Sequence, residues 1–157
     1  MYIIGDTTYG KDGSEPTRLI EKLIDFYQLK DDTSGYKNKR LMDIQETALS
    51  MGVEPWKFKY MVSWFFVENG TLSEWREGDY GPEIGLTQCH PVYRDCMPLG
   101  DYEGQKEQSI NWFIEYTHNS NENTIIRDIR KGHNPNATNY EWKIKDHLKF
   151  FTITGQF

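Results

Sequence analysis

The 157-residue chain has little of several things, and each shortage excludes something. It has two cysteines, Cys89 and Cys96, too few for a disulfide framework to stand in for a hydrophobic core; both are expected as free thiols. No Cys-x-x-Cys or His-Glu-x-x-His spacing occurs, so no metal is expected, nor any cofactor. Nothing around Gln88-Cys89 has the local signature of a cysteine peptidase. Long apolar runs are missing too. Trp64 to Val67, four residues, is as long as any, which excludes a membrane-spanning helix. Basic residues are in deficit, 18 against 24 acidic, and the net charge of −6 argues against a nucleic-acid partner, whose phosphates need a basic patch. The deficit is uneven: from Ser120 onward six basic residues face four acidic ones, a pattern read as solvated helix faces. Met1 to Asp6 lacks the basic start and apolar stretch of a signal peptide, so synthesis in a cytoplasm is expected.

What the chain has in abundance is aromatic side chains: five Trp, ten Tyr and eight Phe, enough for a core in one domain spanning 1–157. Most of its length carries helical periodicity. Ser14-Glu15-Pro16 reads as a helix start, followed by a stripe from Leu19 to about Leu29. Lys30 to Asn38 reads as a loop. Leu41, Ile44, Ala48 and Met51 mark a second helix stopped by Gly52, and Glu54-Pro55 opens a third that runs to Glu68. Gly70 to Gly85 is too broken for a helix and fits a short hairpin. Further helices are expected over Gln105 to His118, Asn123 to Lys131, and Thr138 to about Phe151, with a turn at Gly132 to Asn136. The fold class is therefore mainly α, with a small irregular or β element after the third helix.

The chemistry points to the end of that helix. Glu68 follows Met61, Trp64 and Phe65 at separations of 7, 4 and 3, which puts it on their face. A carboxyl group held against aromatic surface keeps its proton, as an acid catalyst of glycosidic cleavage requires. Asp79 and Gln88 follow in a glycine-rich stretch, Gly78-Asp79-Tyr80-Gly81 and Gly85-Leu86-Thr87-Gln88. Gly78, Gly81 and Gly85 would let backbone approach a polymer chain closely.

At these residues the sequence resembles the goose-type lysozyme and soluble lytic transglycosylase superfamily. That family places a catalytic Glu at a helix end and, about twenty residues on, a Gly-Leu-Met-Gln segment; here Gly85-Leu86-Thr87-Gln88 ends 20 residues after Glu68. The goose-type branch also has a Gly-Asp-x-Gly turn whose Asp lies nine residues before the Gln, as Asp79 does before Gln88. The resemblance implies a lysozyme-like α+β fold, with Glu68 as general acid, Asp79 positioning water and Gln88 contacting substrate. His90 stands where that branch carries a second Asp. Tyr140 is the candidate for a late tyrosine common to both branches, and the nearest counterpart of the transglycosylase Tyr-Asn-Ala-Gly segment is Arg130 to Pro135, which lacks the Tyr. His90 and Tyr140 join Gln88 as candidate substrate contacts.

What this implies is a monomeric peptidoglycan muramidase, of the bacteriophage endolysin or virion-associated kind, acting on the bacterial cell wall. The same residues fit a lytic transglycosylase, or a wall-binding or phage structural protein without activity. Plain readings stand beside the functional ones: Glu68 as an ordinary helix-end carboxylate, Asp79 as turn chemistry, Gln88 as a backbone partner, His90 as a surface histidine and Tyr140 as core. Asn69-Gly70-Thr71 and Asn136-Ala137-Thr138 match the glycosylation sequon but are read as chance.

Overall fold

The computed structural model describes residues 2–4, 7–9, 36–137 and 139–153, and among them the chain is mainly helical. The helix expected from Pro16 to about Leu29 lies outside the described residues. The chain divides into two compact units, one of Met1–Lys59 with Leu148–Phe157, the other of Tyr60–His147. No helix among the described residues is long and apolar enough to cross a membrane.

In the first unit, β1 (Tyr2–Ile4) and β2 (Thr7–Tyr9) form an antiparallel ribbon, with Tyr2 opposite Tyr9 and Ile4 opposite Thr7. Helix α1 (Tyr36–Ser50) starts inside the stretch whose polar composition suggests a loop. The Arg40 guanidinium lies 4.4 Å over the Tyr36 ring one turn earlier, a contact that favours the helix there. Leu41, Ile44 and Ala48 are its buried stripe. The helix stops as expected at Gly52, whose φ of +94° suits a residue without Cβ. Its amide bonds Leu49 O and that of Val53 bonds Ala48 O, the paired closure that satisfies terminal carbonyls. A single 3-10 turn, Pro55–Lys57, leads into α2 (Phe58–Glu68).

The second unit holds most of α2 and α5 and all of the other two helices: α3 (Tyr102–Thr117), α4 (Ile125–His133) and α5 (Tyr140–Ile153). Its core is built on Trp64, fully buried, stacked on Phe113 at 6.1 Å and edge-on to Phe65 at 5.5 Å. Ile110, Ile125, Ile129 and Ile144 complete it. Helix α3 begins three residues before the expected Gln105 because the Asp101 side chain accepts from the Gly104 amide and caps it.

The segment between α2 and α3 has little regular structure, so buried side chains organise it. Asn69, immediately after α2, donates to Ser73 O and Gly85 O and accepts from the amide and hydroxyl of Thr71. That saturated, buried amide leaves no room for a glycan. Gln105 on α3 does the same from the other side, accepting from Leu86 N and donating to Glu74 O and Pro98 O. Isolated antiparallel bridges pair Glu77 with Ile84 and Ile84 with Cys89, in the stretch where a small irregular or β element is expected.

Two expectations need correction. Cys89 and Cys96 are joined in a disulfide: the turn between them brings their Cα atoms to 5.8 Å, within bonding range. Gly132 and His133 are the last residues of α4, not a turn. A Cβ on Gly132 would lie 2.1 Å from the Tyr116 ring, so glycine here serves close helix packing.

Candidate active site

Glu68 ends α2 on the face that Met61, Trp64 and Phe65 bury, as its spacing requires. Its side chain is 13% exposed. The Tyr140 hydroxyl, at the start of α5, donates to Glu68 Oε1. Burial raises the Glu68 pKa to about 7; the Tyr140 bond and the charges of Lys143 and Arg94 pull it down, and the Glu83 charge pushes it up. Burial wins, because the carboxylate form gives up water and regains one hydrogen bond. Tyr140 is itself buried behind the acid, its own pKa pushed up by burial and by Glu68. Trp64 Nε1 makes no hydrogen bond of standard geometry, but lies close enough to the Tyr140 oxygen to oppose that rise.

His133, 6% exposed, has its Nε2 3.6 Å from Glu68 Oε1. The pair is not ionic. Burial and then the Arg94 charge depress the His133 pKa to about 3, against the opposing bond to Thr87. Arg94 Nη1 lies 3.1 Å from His133 Nδ1 and can only donate, so Nδ1 accepts and the proton sits on Nε2, donating to Thr87 O at 2.9 Å. Arg94 also donates to Tyr116 Oη at 2.6 Å and to the carbonyls of Gly132 and His133, and lies 5.0 Å over the Trp112 ring. One guanidinium thus closes the end of α4 and fixes the tautomer beside the acid.

The facing wall is the bridged stretch from Arg76 to His90. Asp79 lies at its rim, 72% exposed, with an oxygen 3.6 Å from Arg76 Nη2. Glu83 is half as exposed, at 37%, and its Oε1 is 4.0 Å from His90 Nε2. Gln88 takes a φ of +52°, a conformation that side chains rarely adopt. Its amide turns back to donate to Gly85 O at 2.9 Å and Arg76 O at 3.4 Å, so it pins the loop while lining the cleft. Gly85 needs its lack of a side chain for an internal reason: φ is +83°, and a Cβ would lie 2.5 Å from Gln105 Oε1.

Between the two walls lies a cleft of about 700 Å³. It brings together Glu68, Asp79, Gln88 and His90; Tyr140 is not on its surface but lines, with Glu68 and Lys143, a second cavity of about 220 Å³. Asn134 and Pro135, from the stretch compared above with the late transglycosylase segment, line the cleft. Sequence reasoning missed Glu83, Arg94 and His133. Only His133 left a signal, through its place in that late segment. Among the described residues no group of His, Cys, Asp and Glu side chains could hold a metal ion. The arrangement can present a proton at neutral pH on one side of an open groove and carboxylates on the other.

No family model matches the sequence, and comparison with curated proteins and with solved structures finds no match either.

Proposed function

We propose that the chain is a peptidoglycan muramidase with a lysozyme-like fold, hydrolysing the β-1,4 bond between N-acetylmuramic acid and N-acetylglucosamine. The observation that carries the reading is a buried Glu68, protonated to about pH 7, at the floor of an open cleft lined opposite by carboxylates. Glu68 protonates the departing glycosidic oxygen. Water, held by the acidic wall, attacks the anomeric carbon from the opposite face and inverts it. His133 stays neutral and so adds no further positive charge beside the acid. Gln88 and His90 meet substrate from the far wall.

An acidic protein gains no electrostatic steering toward an anionic wall, so affinity rests on contacts to sugar, for which the exposed rings of Tyr80 and Tyr93 at the cleft supply flat surface. The Cys89–Cys96 disulfide fits work in an oxidising compartment outside the cytoplasm, in keeping with a monomeric phage endolysin or virion-associated lysin. Purified walls test the reading: wild type lowers their turbidity, and folded Glu68→Gln does so about 10²–10⁴-fold more slowly. Equal rates for the two would sink it.

A further inference from the structure

We infer that Glu83, not Asp79, is the carboxylate that holds and deprotonates the attacking water, with Gly78, Gly81 and His90 positioning it. The inference rests on the muramidase reading and narrows it. Both acids line the cleft with Glu68, but their settings differ. Asp79 is mostly in solvent, and its one ion pair, to Arg76 at 3.6 Å, is of the exposed kind that holds a side chain only weakly.

Glu83 is held. Its backbone is tied down by the Gly78 amide, which donates to Glu83 O at 2.7 Å, beside the Glu77–Ile84 bridge. Its carboxylate lies against the two glycines of the Gly-Asp-x-Gly turn. A Cβ added at Gly81 would meet Glu83 Oε2 at 2.3 Å, and one at Gly78 would meet it at 2.9 Å. Neither glycine has a positive φ, so conformation does not explain them; room for this carboxylate does. His90 Nε2 approaches the other oxygen at 4.0 Å.

The proposed step balances as hydrolysis. The water oxygen bonds to the anomeric carbon and gives one proton to Glu83. The bond from that carbon to the bridging oxygen breaks, and that oxygen takes the proton of Glu68. Solvent then returns the proton from one carboxyl group to the other.

The test compares Glu83→Gln, Asp79→Asn, Gly81→Ala and Glu68→Gln on purified peptidoglycan, with melting temperatures as a fold check. Glu83→Gln should lose about 10²–10⁴-fold in kcat with KM little changed. Asp79→Asn should lose at least about tenfold less kcat than Glu83→Gln, as a solvated carboxylate in a weak surface pair contributes little. Gly81→Ala should fold, because only the end of a flexible side chain must move. It should lower kcat by displacing that carboxylate, and add little more in the Glu83→Gln background, the non-additivity of two changes acting through one group. Azide should revive Glu83→Ala by attacking in place of water, leaving a glycosyl azide visible by mass. If Glu83→Gln keeps more than about a tenth of wild-type kcat while Glu68→Gln is dead, this inference fails and the muramidase reading survives. If wild type itself turns over no substrate, both fall.

Discussion

The Tyr140 hydroxyl donates to Oε1 of Glu68, the residue 72 positions before it, and is the acid's one hydroxyl partner among the described residues. That bond favours the carboxylate, against the burial that favours the acid. Tyr140→Phe therefore leaves Glu68 holding its proton to higher pH. The alkaline limb of the activity profile, expected near pH 7 in wild type, should move upward in the variant. A limb that moves down would mean that the hydroxyl serves the protonated acid instead. The cost in stability should be about 1 kcal/mol, the usual worth of one hydrogen bond.

How much of this was legible in the sequence depends on the range of the contact. Glu68 was readable because its face is set by residues within seven positions, and the stop at Gly52 because helix closure is local. The cysteine pair is only seven residues apart, yet whether two thiols meet depends on the path of the turn between them. Arg94 was not readable at all, and His133 only as a member of the late segment, because their contacts reach across 39 and 46 positions. Gly85 announced a need for glycine, but not that the need came from Gln105 on a later helix. Helix α3 starts early because one aspartate side chain turns back to cap it, which apolar periodicity does not register.

The raised Glu68 pKa also sets a stability prediction. Its folded value, about 7, exceeds its ordinary value of 4.5, so protonation favours the folded state. That contribution is complete below about pH 4.5, shrinks as pH rises, and is gone above about 7; its size is about 3 kcal/mol. Glu68→Gln cannot ionise, so it should gain on wild type as pH rises from 4 to 8, by several degrees in Tm. His133 runs the other way. Its folded value is depressed to about 3, so its contribution is present above about 6.5 and lost as pH falls through 3. In Glu68→Gln the opposing slope is gone, so Tm should fall on acidification below pH 6.5, with His147, which burial also holds below its ordinary value, adding to the loss. A constant Tm difference between variant and wild type would contradict the burial of Glu68.

The disulfide closes a turn that carries His90, Tyr93 and Arg94 to the cleft. A loop this short contributes about 2.5 kcal/mol on chain-entropy grounds. Reduction, or Cys89→Ser with Cys96→Ser, should lower Tm by several degrees and slow turnover, because Arg94 then holds α4 and His133 less firmly. Unchanged turnover in the reduced protein would show that the other contacts of Arg94 suffice.

The central claim is that Glu68 donates a proton while water cleaves the muramyl bond. Mass spectrometry of muropeptides released from purified peptidoglycan by wild type and by Glu68→Gln tests it most directly. The account predicts reducing N-acetylmuramic acid ends from wild type and almost none from the folded variant. Mainly 1,6-anhydro ends, one water lighter, would contradict hydrolysis and point to transglycosylation by the same acid. Equal release by both proteins would contradict the role of Glu68 itself.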